Sequence, residues 1–323
     1  MGTEAKGIPS PSVIPACINR VQVIISTRNR LADLRYTIDH CLELGLKSEQ
    51  IMVTDDASTD ATPKIIRQYY PDINLYINTT PQGYIRNRNA MMKSSTRDFI
   101  LSLDDDSNLL SLADLSRAIQ LLDSDNDYAV FSFGVIEQKE ITSLSMVEEK
   151  REFYKNYIGC GHIIKKAVLD KIGYYREELV FYGEEIDFSI RCYQNGYKVV
   201  GISGLFVQHR VDRKEREHQL KANVSRGEYS VLWRSSFSVS NTLLKIVMYY
   251  PLSLLPFYLI RSLLGQFYFY HIKRNQGRSY WKGLRRWLRM YSYGWQERKP
   301  FSVEEFRSWS RLPLYVTHQL TTH

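Results

Sequence analysis

The sequence predicts an α/β fold built on a mostly parallel, Rossmann-like sheet. Two observations carry that expectation. Short apolar runs rich in β-branched residues alternate with stretches of helical period, and polar residues gather just after the strand ends. Val21-Gln22-Val23-Ile24-Ile25-Ser26 is the first run and reads as a buried strand. Over residues 31–44, Leu31, Leu34, Ile38, Cys41 and Leu42 recur near the helical period, and Gly45 supplies the stop. Residues 50–54 form the next strand. Ser58-Thr59-Asp60 offers an N-cap for a helix over 61–70, whose first turn tolerates Pro63. Residues 73–77 read as strand, 85–94 as helix and 98–103 as a further buried strand. Such alternation implies right-handed crossovers, with ligands beyond the carboxyl ends of the strands. Residues 27–30, 55–58 and 104–107 therefore share one rim.

The chain has 323 residues, a net charge of +8, 44% apolar residues and 24% charged ones. This is ordinary globular composition and excludes wholesale disorder or low-complexity repeats. The four cysteines form no C-x-x-C pair, which argues against a disulfide framework or structural zinc. Residues 1–18 lack the apolar stretch of a secretory signal, so a reducing, cytosol-facing compartment is the expectation. The charge is uneven: residues 1–204 hold 23 basic and 28 acidic residues, whereas 205–323 hold 20 and 7 and contain all five tryptophans. A basic, aromatic back half suits an anionic membrane surface or nucleic acid; the plainer reading is a solvated charged face.

Two acidic clusters lie in the front half. Asp104-Asp105-Asp106 follows an apolar strand, and its mutual repulsion needs an offset. A hard divalent cation, Mg²⁺ or Mn²⁺, provides one, with Asp104 and Asp106 facing the ion if the segment stays extended. The alternative is a solvated acidic turn. Gly183-Glu184-Glu185-Ile186-Asp187 opens a helix that stops at Asn195-Gly196. Its carboxylates suit the helix dipole, but Phe181 and Tyr182 would also desolvate them, as a general base requires. His209 follows the apolar run 204–207, where it can complete a metal shell. No phosphate-binding G-x-x-x-x-G-K-[ST] loop, no G-x-G-x-x-G after the first strand and no serine nucleophile elbow is present.

In order, these segments resemble an inverting family 2 glycosyltransferase of the GT-A fold. Residues 23–30 are similar to the family's first strand and P-T-Y-N-R turn. Residues 53–60 resemble V-D-D-G-S-T-D, with Ala57 where the family has glycine. Gly83 with Arg88-Asn89 resembles G-x-x-x-A-R-N. Asp104-Asp105-Asp106 stands at D-x-D, and Gly183 to Asp187 at G-E-D-x-D. The match runs from about 21 to 209.

The resemblance implies roles. Asp56, helped by Ser26 and Arg28, contacts the nucleotide base. Arg88 meets the nucleotide or its diphosphate, and Asp105 approaches the ribose. Asp104 and Asp106, with His209, serve the metal. Glu185 is the base, with Glu184 or Asp187 able to share its role. The reaction implied is a metal-assisted single displacement from a UDP-, dTDP- or GDP-linked sugar to a glycan or lipid-linked acceptor, in cell-surface polysaccharide synthesis. An inactive glycosyltransferase-like scaffold and a basic nucleic-acid-binding protein are the competing readings; nucleic acid is not the expected partner.

The back third speaks about location. Residues 246–260 are uncharged but broken by Pro251 and Pro256, and Arg261 follows. A span of ~20 apolar residues is not reached. Trp281, Leu284, Leu288, Tyr291 and Trp295 recur at helical spacing, interleaved with Lys282, Arg285, Arg286 and Arg289. This is the pattern of a helix lying in an interface; helices packed on the catalytic domain are the alternative. The expected layout is a tail over 1–20, a catalytic domain over 21–212 (nucleotide side 21–107, acceptor side 108–212) and a helical, membrane-associating region over 213–323. The expected location is peripheral, on the cytosol-facing side of an anionic bilayer.

Overall fold

The structure, a computed structural model, describes residues 15–138, 149–211 and 231–315. The tail assigned to 1–20 falls largely outside these, as does the start of the C-terminal region. The front half alternates as expected: β1 (Val21–Thr27), α1 (Leu31–Glu43), β2 (Ile51–Asp55), α2 (Thr62–Tyr69), β3 (Asn74–Ile77), α3 (Tyr84–Ser94) and β4 (Phe99–Asp104). Val23, Ile24 and Ile25 are all fully buried, because helices cover both faces of the sheet. One cap differs from expectation. Ala61 precedes α2 without a side-chain cap, while Asp60 Oδ1 accepts from the Thr62 N–H, closing a local turn one residue too early to cap the helix.

There follow β5 (Ser107–Leu109), α4 (Leu112–Asp123), β6 (Tyr128–Ser132), β7 (Gly134–Glu137), β8 (Arg151–Tyr154), β9 (His162–Lys165), α5 (Lys166–Ile172), α6 (Glu184–Gln194), β10 (Lys198–Ile202) and β11 (Phe206–His209). The main sheet has 8 strands in the order β3-β2-β1-β4-β9-β6-β10-β8. β9 runs antiparallel to β4 and β6, and β8 to β10; the remaining pairs are parallel. A 3-stranded sheet, β5-β11-β7, crosses the rim of the first.

The back third is helical: α7 (Val231–Tyr249), α8 (Leu255–Phe267), a π-helical turn (Tyr268–Lys273), α9 (Gly277–Arg289), α10 (Tyr291–Gln296) and α11 (Val303–Arg311). Pro251 stops α7 because it cannot donate to the helical ladder. One hydrophobic core joins the sheet to these helices, with Ile24, Ile100 and Phe188 in the same cluster as Leu243, Val247 and Trp287. Gly283 lets α9 sit close on α7: a Cβ there would lie 2.5 Å from the Ser236 carbonyl oxygen. Trp287 and Tyr280 face this inner side; of the predicted stripe, Trp281, Leu288, Tyr291 and Trp295 are exposed, while Leu284 packs against the core. Among the described residues no helix is long and apolar enough to cross a membrane.

Candidate active site

The rim brings both acidic clusters within reach of one arginine. Arg88, on α3, is buried; its Nη2 donates to Asp104 Oδ1 at 2.6 Å, and its Nη1 lies 3.9 Å from Glu184 Oε1. A buried guanidinium between two carboxylates is held by both and unites the donor rim with the start of α6.

On the first cluster, β4 ends at Asp104, and Asp105-Asp106 turn the chain into β5. The extended alternation expected over 104–106 therefore stops at Asp104. Instead Arg30 bridges the two turn residues, with Nη1 2.9 Å from Asp105 Oδ1 and Nη2 2.7 Å from Asp106 Oδ2. Thr27 Oγ1 donates to Asp105 Oδ2. Burial pushes the Asp105 carboxyl up to about 7, opposed by Arg30 and reinforced by Asp106. Burial acts on Asp106 in the same sense, but His209 and Arg30 outweigh it and hold its carboxyl well below the usual range. His209 arrives through register: β11 pairs with β5 so that His209 lies opposite Ser107, and its Nε2 sits 3.1 Å from Asp106 Oδ1.

Ligand atoms of Asp104, Cys160 and His209 lie within 4.8 Å of one another. Burial, with the charges of Asp104 and Asp106, pushes the Cys160 thiol far up, so it stays protonated and is a poor donor. Of the expected ligands, Asp104 and His209 fall in this group, while Asp106 reaches it only through His209; carboxylate oxygen with imidazole nitrogen is a donor chemistry that suits Mn²⁺. Arg30 already meets Asp106 as a cation, and 40% of its side chain is exposed.

The nucleotide-side candidates stand along β1 to α3. Asp56 Oδ1 accepts from the Gln82 N–H and Asn78 Nδ2, and its Oδ2 accepts from the Gly83 N–H, so its carboxylate shapes the turn into α3. Ser26 Oγ accepts from Asn87 Nδ2. Arg28 is half-buried on the same rim. Ala57 adopts φ +59, a left-handed conformation that glycine takes at less cost.

The second cluster is more closed. Three residues in left-handed backbone precede it, Val180 (φ +60), Tyr182 (φ +64) and Gly183 (φ +93). Such strain in a β-branched residue persists only where the surroundings enforce it. Asn241 of α7 does so, its Nδ2 donating to the carbonyls of Leu179, Phe181 and Tyr182 at 2.9, 2.9 and 2.8 Å. Glu184 is fully buried, and neither of its oxygens accepts a hydrogen bond among the described residues. Glu185 is half-buried against Gly159, where an added Cβ would strike its carboxylate. Burial first, and then the charge of Glu184, push the Glu185 carboxyl well above the usual range.

Asp187 does not share that setting. It is fully buried; Tyr249 Oη donates to Oδ1 at 2.5 Å, Arg191 Nε to Oδ2 at 2.9 Å, and Arg176 Nε lies 3.2 Å away. Tyr249 and Arg191 donate to Asp187, and with Arg176 beside it this carboxylate ties α6 to α7. Beneath the loop, His162 is buried and neutral. Its Nδ1–H donates to the Ile158 carbonyl, so Nε2 accepts from Tyr175 Oη, which accepts from Tyr157 Oη. Burial, with Arg88, pulls His162 down to about 3.

The mostly parallel sheet thus carries a carboxylate–imidazole rim and, across one arginine, a second carboxylate cluster. Residues 22–176, just under half of the chain, match the family model for glycosyl transferase family 2. Among curated relatives, it is 27% identical over 191 residues to the GalNAc(5)-diNAcBac-PP-undecaprenol beta-1,3-glucosyltransferase of Campylobacter jejuni, covering 54% of this chain and 60% of that protein. It is also 27% identical over 191 residues to the putative glycosyltransferase EpsE of Bacillus subtilis, covering 55% and 68%. The chain thus spans less than two thirds of the Campylobacter protein. The fold is that of the mannosyltransferase of Pyrobaculum calidifontis solved with GDP-Man and Mn²⁺: TM-score 0.52 at 14% identity, over 90% of this chain and 78% of that one. The chain thus has a GT-A-type α/β fold with a helical C-terminal region.

Sequence reasoning named Arg88, both clusters and His209. It missed Arg30 as the bridge between Asp105 and Asp106, Cys160 beside the metal ligands, and Asn241 on α7. Asn241 is one of several buried polar residues on α7, beside Ser240 and Lys245, and carried no motif of its own.

Proposed function

We propose that the protein transfers a sugar, with inversion, from a nucleoside-diphosphate donor to a hydroxyl of a glycan or lipid-linked acceptor in cell-surface polysaccharide synthesis. The observation that carries this reading is the division of labour around Arg88: a cation-binding rim on one side, and on the other a carboxylate pair with raised proton affinity. Asp104, Asp106 and His209 would hold Mg²⁺ or Mn²⁺, which when bound supplies positive charge to the leaving diphosphate. Ser26, Arg28, Asp56 and Asp105 line the nucleotide side. Glu185 takes the acceptor hydroxyl proton. The acceptor oxygen bonds the anomeric carbon as the bond to the diphosphate breaks, and the electron pair leaves with the nucleoside diphosphate. Proton transfer of this kind contributes roughly 10²–10⁴-fold. The named activity of the Campylobacter relative, on an undecaprenol-linked acceptor, supports a lipid-linked acceptor here.

The same reading places the enzyme on an anionic membrane surface. Phe257, Ile260, Leu264, Trp281 and Leu288 are exposed on the C-terminal helices, and Leu252 in the turn before the second of them. They lie in the part of the chain with 20 basic and 7 acidic residues. Exposed apolar groups in a basic part of the chain suit a lipid surface of opposite charge. Two measurements test the proposal. Screening UDP-, dTDP- and GDP-hexoses should find one donor cleaved only with Mg²⁺ or Mn²⁺; metal-dependent binding of a donor without any turnover would indicate a scaffold. The protein should sediment with phosphatidylglycerol vesicles and be released by high salt, whereas retention through alkaline carbonate would contradict peripheral attachment.

A further inference from the structure

The loop between β8 and β9, residues 155–161, passes between the two acidic clusters. Its Cys160 Sγ lies within 4.8 Å of ligand atoms of Asp104 and His209. One residue earlier, Gly159 faces the other cluster. A Cβ added to Gly159 would stand 2.4 Å from Glu185 Oε1, 3.6 Å from Glu185 Cδ and 3.3 Å from Arg88 Nη1. The Glu185 carboxylate and the bridging arginine thus meet at the point where residue 159 has no side chain. The backbone does not ask for glycine here. Gly161, two residues on, adopts φ +74, whereas Gly159 lies outside the left-handed region. What excludes a larger residue is space, and the Glu185 carboxylate fills that space.

The loop is held from both sides. On the outside, Asn156 Oδ1 accepts from the Tyr315 N–H at 2.7 Å, Asn156 Nδ2 donates to the Tyr315 carbonyl at 3.3 Å, and the Lys155 N–H donates to the Pro313 carbonyl at 3.1 Å. On the inside, the Gly161 N–H donates to the Ser102 carbonyl at 2.9 Å, and the His162 ring holds the Ile158 carbonyl. Arg88 is held too, buried and bonded to Asp104 at 2.6 Å. The part free to give way is the end of the Glu185 side chain. To reach ordinary van der Waals contact with a Cβ at residue 159, its carboxylate would have to retreat by about 1 Å.

We propose that Gly159 is a positioning residue for the transfer reaction: its missing side chain leaves the slot that seats the Glu185 carboxylate beside Arg88, so the sizes of residues 159 and 185 together fix the reach of the base. A misplacement of about 1 Å can lower a rate by as much as 10²-fold. The pair is matched in size, so shortening residue 185 by one methylene makes room for one carbon at residue 159. This inference rests on the reading of Glu185 as base.

The test compares the wild type with Gly159→Ala, Glu185→Asp and the double variant, as full chains with Mn²⁺ and the donor found by the nucleotide-sugar screen. Gly159→Ala should keep the wild-type unfolding temperature and the affinity for the nucleoside diphosphate, while kcat falls roughly 10- to 10²-fold. In the Glu185→Asp background the same alanine should cost less than about threefold, a non-additivity that a merely structural glycine would not produce. A crystal structure of Gly159→Ala should show residues 155–161 in place and the Glu185 carboxylate displaced by about 1 Å or more. That structure answers the question even where Glu185→Asp turns over too slowly to measure. Equal losses from the alanine in both backgrounds, or an unmoved Glu185 beside a shifted loop, would overturn the role of Gly159. Normal turnover by Glu185→Gln would overturn the base assignment instead. With Glu185→Gln slow, normal turnover by Gly159→Ala would overturn the role of Gly159 alone.

Discussion

Two acidic clusters face each other across Arg88, and they are neutralised in opposite ways. Asp104-Asp105-Asp106 is met by Arg30, which lies partly in solvent, and by His209 from the small sheet. Glu184, Glu185 and Asp187 are met by groups buried among α3, α6 and α7. The difference teaches what each cluster is for. Charges balanced by a solvent-reaching side chain suit the exchange of one cation for another, as a metal–diphosphate donor requires. Charges balanced from within cannot exchange partners, so burial appears as altered proton affinity, as a base requires.

The sharpest way to break this comparison is Asp187→Asn. It leaves Arg176 and Arg191 facing a neutral amide in a dry site, and should cost about 3–5 kcal/mol of stability. Chemical denaturation would measure it, and a loss below 1 kcal/mol would mean that the second cluster is less closed than its contacts indicate. Glu185→Gln should preserve shape and lower kcat by roughly 10²-fold or more. Steady-state donor turnover is the readout, and near-normal kcat would remove Glu185 from the reaction.

The floor beneath both clusters gives a pH-dependent prediction. His162 is held neutral, with a folded value of about 3. Unfolded, it would take a proton near 6.5. The stability it contributes is therefore complete above 6.5 and is lost as pH falls from there towards 3, at about 1.4 kcal/mol per pH unit. His162→Gln should flatten the stability–pH curve by about one proton across pH 4–6; an unchanged slope would place the acid sensitivity elsewhere. The smallest effect belongs to the nucleotide side. Ala57→Gly relieves a left-handed alanine and should raise stability by about 0.5–1 kcal/mol, net of glycine's greater chain entropy. A lower unfolding temperature would contradict this.

These residues also show what could be read from the chain. The strand–helix alternation through β4 was legible because each element carries its own periodicity and stop signal, down to Gly45 at φ +103. The carboxylates were legible because they follow strands or open a helix. Arg30 was visible as a rim residue, but its bridging role was not, since that depends on a turn at Asp105-Asp106 that strand alternation does not foresee. His162 carried no motif, and its tautomer follows only from the Ile158 carbonyl and the two tyrosines. Asn241 and Tyr249 lie about sixty residues beyond the groups they bond, and only tertiary packing brings them there. The period of four in Asn241, Lys245 and Tyr249 was present in the sequence, yet an apolar helix alone does not say what its polar stripe meets.

The central claim is that one cluster binds and the other reacts. Calorimetric titration of the donor's nucleoside diphosphate, with Mn²⁺, into the wild type, Asp106→Ala and Glu185→Gln tests it most directly. The account predicts that Asp106→Ala loses metal-dependent binding while Glu185→Gln binds as tightly as the wild type. Unchanged binding by Asp106→Ala, or lost binding by Glu185→Gln, would contradict it.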